Sequence, residues 1–296
     1  MTPINRISLG TGVLLRIGDS ILLQHNKRYN RFNLISGHYE REVDEFSIKN
    51  TIIRETQEEL PGLRYLVDFQ VRGLHTNRVF WNSNIVREGK EFHTLYIFKF
   101  YEGNLLYKTS DFPERLFSSE EEAKEFFQKG DNILISIDDL RQLMTMPESI
   151  EMKIEWNGNP YPIGLPVKKV LDVYWNLPTM QKLSLHKEEL ASRVSPAKDF
   201  EFKTKSSDSF RVSALSVLST KITQYESLEG FIKEVHSQEG LIGLIYEKEN
   251  PCFKKRLLRN LKELQSLGVD FVVLGEAVDE EVLDIFEELE LFWVKM

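Results

Sequence analysis

The chain has 296 residues, 41% hydrophobic and 28% charged, proportions ordinary for a globular protein that buries its own core; at roughly 100–200 residues per domain, this length points to two domains. With 38 Lys and Arg against 46 Asp and Glu, the net charge of -8 argues against broad binding to nucleic acid or to an anionic membrane. The lone cysteine, Cys252, excludes an intramolecular disulfide, and the chain shows neither a membrane-length apolar run nor a basic-then-apolar leader, so a cytoplasmic location is expected.

Residues 11–17 and 20–24 are apolar runs separated by Gly18 and Asp19, the pattern of a hairpin. Residues 32–36 form a further short strand, closed by Gly37 and a charged loop over 40–45. From about residue 46 the period becomes helical. Ile48, Ile52 and Leu60, with Ile53 alongside, fall on one side, Glu55, Glu58 and Glu59 fall on another, and Pro61 with Gly62 stops the helix. Strand signals follow over 65–73 and 93–101, where Tyr96, Phe98 and Phe100 alternate with Leu95, Ile97 and Lys99, so both faces are expected to be covered.

An acidic helix is predicted over 118–128, then a strand over 132–137, a helix opened by Asp138 as N-cap, and a helix over 166–175. Residues 181–208, rich in Lys, Ser and Glu, read as a linker between a domain of residues 1–180 and a smaller one of 209–296. In the smaller domain, strands at 210–218, 241–246, 271–274 and 291–294 alternate with helices at 228–236, 253–267 and 280–289. That alternation predicts a small α/β domain with a mostly parallel sheet.

The chemistry concentrates on the glutamates. Glu55, Glu58 and Glu59 stand at i, i+3 and i+4, which brings neighbouring Cβ atoms within about 6 Å on one helix face. Three adjacent carboxylates repel one another, and a hard divalent cation with oxygen ligands relieves that repulsion. The plain alternative is a solvated face, since glutamate favours exposed helix positions. Arg54 can hold one glutamate by a bidentate pair, and Gly37, just before the helix, lets backbone approach a ligand or offer a carbonyl to a metal. Metal ions placed there could bridge a pyrophosphate and activate water against phosphorus, which predicts hydrolysis of a diphosphate bond.

Gly37, the string Arg54-Glu55-Thr56-Gln57-Glu58-Glu59 and Gly62-Leu63 together resemble the Nudix box, whose pattern is Gly, five residues, Glu, seven residues, Arg-Glu, an apolar residue, any residue, Glu-Glu, any residue, Gly and an apolar residue. Residues 132–140 also resemble the strand and helix start that commonly end Nudix domains, and the resemblance covers roughly residues 7–176. It implies a Nudix-like α/β/α sandwich with a mixed sheet. It implies catalytic roles for Arg54, Glu55, Glu58 and Glu59, and Mg2+ or Mn2+ held by the three glutamates with Gly37. Gly37, His38 and Glu40 would face the substrate, a small nucleotide such as a nucleotide sugar, ADP-ribose, a dinucleotide or a nucleoside triphosphate.

The chain departs from the pattern in four places. The Gly37–Arg54 interval is three residues longer, and Phe46 stands eight residues before Arg54 in place of glutamate, leaving Asp44 or Glu45 to serve there. Thr56 replaces the apolar residue, and Pro61 is an extra residue before Gly62.

Other candidates carry less. His38 either reaches a phosphate or faces solvent. Tyr29, Phe32 and Phe80 could stack a base, though aromatic residues near strands usually pack in cores. Glu120, Glu121 and Glu122 offer a general base or a surface acidic helix. No histidine spacing suits zinc, and no glycine-rich phosphate loop occurs in the smaller domain, where Gly275, Glu276, Asp279 and Glu280 follow a strand end that suits a ligand, packing, a protein partner or a homodimer equally. The alternative to a hydrolase is a nucleotide-sensing module with little turnover that signals through the C-terminal domain.

Overall fold

A computed structural model describes residues 6–45, 47–64, 67–87, 90–145, 152–164, 167, 170–171, 197–203, 209–216, 227–238, 240–246, 254–274, 283–289 and 291–295. Contacts divide the chain into two units: Gly10–Thr76 with Lys99–Met180, and Met1–Leu9 with Asn77–Phe98 and Gln181–Met296.

The larger sheet begins with β1 (Arg6–Ile17) and β2 (Ser20–Asn26), antiparallel strands joined at Gly18, whose φ of 60° suits glycine. The single strand predicted over 32–36 is two. β3 (Arg31–Asn33) pairs with β2, and β4 (Ile35–His38) pairs with β1, so the chain changes neighbour at Leu34. Two long strands, β5 (Phe69–Arg87) and β6 (Lys90–Leu105), and the later β7 (Asn132–Ser136) complete seven strands, with β7 antiparallel to β2. Leu95, Ile97, Phe98, Lys99 and Phe100 are all buried, so both faces of β6 are covered there.

Helix α1 (Ile48–Glu59) begins at Ser47, whose hydroxyl accepts the Asn50 N–H. It buries Ile48, Thr51, Ile52, Glu55 and Thr56 and ends where the Leu60 N–H bonds the Thr56 carbonyl. Thr56, where the pattern takes an apolar residue, donates its hydroxyl to the Ile52 carbonyl at 2.6 Å, so its burial leaves no donor unpaired. Helix α2 (Glu120–Phe127) is capped by Ser119. Helix α3 (Ile137–Met144) corrects the expected cap. Ser136, not Asp138, is the N-cap, because its hydroxyl accepts the Asp139 N–H at 3.1 Å and donates to Oδ2 of Asp139 at 2.6 Å. Asp138 lies in the first turn, where its charge suits the helix dipole.

A hairpin absent from the prediction follows: β8 (Lys153–Trp156) and β9 (Asn159–Pro162), turning on Asn157-Gly158 with φ of 51° and 75°. Of the helix predicted over 166–175, Val167, Val170 and Leu171 are described and buried, and the rest lies outside the described residues.

The second sheet has five strands in chain order: β10 (Ala197–Lys203), β11 (Ser209–Ser216), β12 (Ile242–Tyr246), β13 (Phe271–Leu274) and β14 (Phe292–Lys295). The last three run parallel, with α5 (Lys254–Ser266) and α6 (Leu283–Glu288) between them, as the alternation predicts. Helix α4 (Leu228–Ser237) lies between β11 and β12, and β10, β11 and β12 are antiparallel neighbours. β10 falls inside the stretch read as linker. It alternates charged residues with Phe200, which is buried while Glu201 is exposed, the pattern of an edge strand covered on one face. Asp270 fastens this sheet, accepting the Ile242 N–H at 2.7 Å and facing His236 Nε2 at 3.2 Å. Cys252 and Gly275, Glu276, Asp279 and Glu280 lie outside the described residues. Among those described, no helix is long and apolar enough to cross a membrane.

Candidate functional site

Strand β4, the turn after it and helix α1 bring the predicted residues to one place. Gly37 lies within β4, opposite Thr11 of β1, rather than in a loop. The carboxylate of Glu55 lies directly over it. A Cβ at position 37 would stand 1.7 Å from Cδ of Glu55 and 1.8 and 2.1 Å from its two oxygens. The close approach seen here is therefore that of a side chain on the glycine.

Arg54 fixes that carboxylate. Its Nη1 donates to Glu55 Oε1 at 2.7 Å and lies 3.5 Å from Glu58 Oε1. Nε donates to Oδ1 of Asp44 at 2.9 Å, and Nη2 donates to Oδ2 of Asp44 at 3.2 Å and to the His38 carbonyl at 2.9 Å. Of the two residues expected to serve for the missing glutamate, Asp44 is the one at Arg54. Asp44 is 1% exposed and also accepts from the Thr51 hydroxyl at 2.9 Å and the Glu40 N–H at 2.8 Å. Glu45 is exposed, with φ of 50°. The three extra residues before α1 thus form a turn in which the Asp44 N–H bonds back to the Glu40 carbonyl. Thr51 escaped sequence reasoning, because a threonine inside a helix has no signal until its buried partner is known.

His38 and Glu40 enter the cluster through backbone, one by its carbonyl and the other by its N–H, while both residues are exposed. Glu58 and Glu59 are also exposed, with 59% of the Glu58 side chain open. Burial pushes the Glu55 carboxyl upward, Arg54 opposes that by charge and hydrogen bonding, and Glu58 and Glu59 add to it. Hydrogen bonding to Asp44 leads the effects that raise the Arg54 guanidinium further above its already high value, so it stays charged.

Among the described residues, no three His, Cys, Asp or Glu side chains are grouped closely enough to enclose a metal ion. Glu55 is turned inward onto Gly37 and Arg54, while Glu58 and Glu59 point to solvent. The donors nevertheless fit a hard divalent ion, being carboxylate oxygens on consecutive turns of one helix with the innermost already oriented by an arginine.

The remaining candidates fall elsewhere. Phe32 is fully buried against His25, Trp156 and Tyr161, with ring centroids 5.2, 5.4 and 6.0 Å away, which makes it core. Tyr29 is exposed between Arg28 and Arg31, and the side chain of Phe80 lies outside the described residues. Glu120 pairs with Lys124 at 2.6 Å, and Glu122 accepts the Ser118 N–H at 2.7 Å, so both serve the start of α2. A cleft of about 380 Å³, lined by Ile133, Ile135, Asp139, Leu143, Ile154 and Glu155 among others, contains none of the glutamate-helix residues.

No family model matches the sequence, and no curated protein does. Solved structures do, at TM-scores below 0.5. A NUDIX hydrolase from Nitrosomonas europaea is 19% identical at a TM-score of 0.28, over 46% of this chain and 77% of its own. The Ap4A hydrolase of C. elegans is 14% identical at 0.28, over 46% and 85%, and a MutT protein from Bacillus halodurans is 14% identical at 0.29, over 58% and 85%. Each of these similarities covers about half of this chain, and the first is to a structure described as a NUDIX hydrolase.

Proposed function

We propose that the unit carrying α1 hydrolyses a diphosphate bond in a nucleoside-diphosphate derivative, such as a nucleotide sugar, ADP-ribose, a dinucleotide or a nucleoside triphosphate, with Mg2+ or Mn2+. The observation that carries this reading is the Glu55 carboxylate laid on Gly37 and held by an arginine that is itself locked to Asp44. An exposed, merely solvated glutamate face would need neither the glycine nor the buried partner. Glu55, Glu58 and Glu59 would hold the metal. A bound divalent ion supplies neutralisation of phosphoryl charge and activation of water. Arg54 then keeps the innermost ligand aimed, so that the geometry is set before substrate arrives.

The test is product release from a panel of nucleoside-diphosphate derivatives with Mg2+ or Mn2+, comparing the native chain with Glu58→Gln and Glu59→Gln. Metal-dependent cleavage that both variants largely lose, with nucleotide affinity partly kept, is the expected result. Cleavage that is indifferent to metal or to both substitutions would refute the reading.

A further inference from the structure

Resting on that reading, we infer that Thr11 is a positioning residue for Glu55, holding its hydroxyl for that carboxylate when the site is loaded. Thr11 stands directly opposite Gly37 in the antiparallel pairing of β1 with β4. Side chains so opposed share one face of the sheet, with Cβ atoms about 5 Å apart. At Gly37 the place of the Cβ is taken by the Glu55 carboxylate. The Thr11 side chain therefore stands about 5 Å from that carboxylate, on the same face of the sheet.

Thr11 is 0% exposed, and its Oγ1 has no hydrogen-bond partner among the described residues. The buried threonines of α1 differ, since Thr51 donates to Asp44 and Thr56 to the Ile52 carbonyl. A buried hydroxyl without a partner is a cost that valine, of the same shape, would remove. Arg54 donates to Oε1 of Glu55, so Oε2 is the oxygen a second donor would take. With Oε1 held by Arg54, a hydroxyl at the other side of the carboxylate would limit its rotation above Gly37.

The experiment uses the full chain, Thr11→Val and Thr11→Ser, and measures Mn2+ binding without substrate and thermal unfolding without metal. Thr11→Val is expected to unfold at or above the temperature of the native chain yet to bind Mn2+ about tenfold more weakly, with Thr11→Ser restoring binding. Equal Mn2+ affinity in Thr11→Val would overturn the inference and leave the hydrolase reading standing. So would a clearly lower unfolding temperature for metal-free Thr11→Val, because the hydroxyl would then serve the fold. If the native chain bound neither Mn2+ nor Mg2+, the metal reading would fall and this inference with it.

Discussion

Replacing Gly37 with alanine tests the site at its tightest point. The new Cβ would meet Cδ of Glu55 at 1.7 Å and its oxygens at 1.8 and 2.1 Å. To regain an ordinary separation of ~3.5 Å the carboxylate must withdraw by about 2 Å. The backbone does not object, since Gly37 is not among the glycines with positive φ, and Gly→Ala at a compatible position favours folding by about 0.4–1 kcal/mol. Withdrawal breaks the 2.7 Å bond from Arg54 to Glu55. A charge-assisted bond is worth about 1.5–3 kcal/mol, and part of this returns because the freed carboxylate regains water. The net loss is on the order of 1 kcal/mol, or about 2–4 °C in Tm for a unit of this size. Catalysis is far more sensitive, since a displacement of this order costs about 100-fold. Initial rates of metal-dependent product release, taken beside thermal unfolding, separate the two effects. Adding Glu55→Asp, which draws the carboxylate back by one methylene, should recover part of the Gly37→Ala loss and so show coupling. A Gly37→Ala variant with native turnover would refute the reasoning.

Asp44→Ala strands Arg54, the Thr51 hydroxyl and the Glu40 N–H; breaking a buried pair in this way costs about 3–5 kcal/mol, whereas exposed Glu45→Ala should change chemical denaturation by less than ~0.5 kcal/mol. Equal effects at the two positions would contradict the assignment of Asp44 as the partner of Arg54. Asp68 is fully buried, and although burial works to raise its pKa, hydrogen bonds from the Arg64 side chain and from the Leu116 and Arg64 N–H groups hold it below the ordinary 3.8. A depressed carboxylate stabilises the fold above its unfolded value and loses that contribution as pH falls through the folded one. Asp68→Asn should therefore flatten the acid limb of stability below about pH 4 in urea unfolding, and an unchanged slope would count against the pairing.

The elements of α1 and the strands around it were legible because their signals are local: alternation in the hairpin, a helical period from Ile48, and a stop at Pro61 and Gly62. The β8–β9 hairpin has a local signal too, the turn pair Asn157-Gly158. β10 was hidden because an edge strand with one covered face is compositionally close to a linker. At the candidate site, the spacing of Glu55, Glu58 and Glu59 and the adjacency of Arg54 follow from helix geometry alone. Only tertiary structure decided that Asp44 rather than Glu45 meets Arg54, since a turn of extra residues sets which carboxylate is buried. It also decided what Gly37 is for. Sequence shows that a glycine stands before the helix, but the need for it arises from a carboxylate eighteen residues later, brought onto the strand by packing that no local pattern encodes.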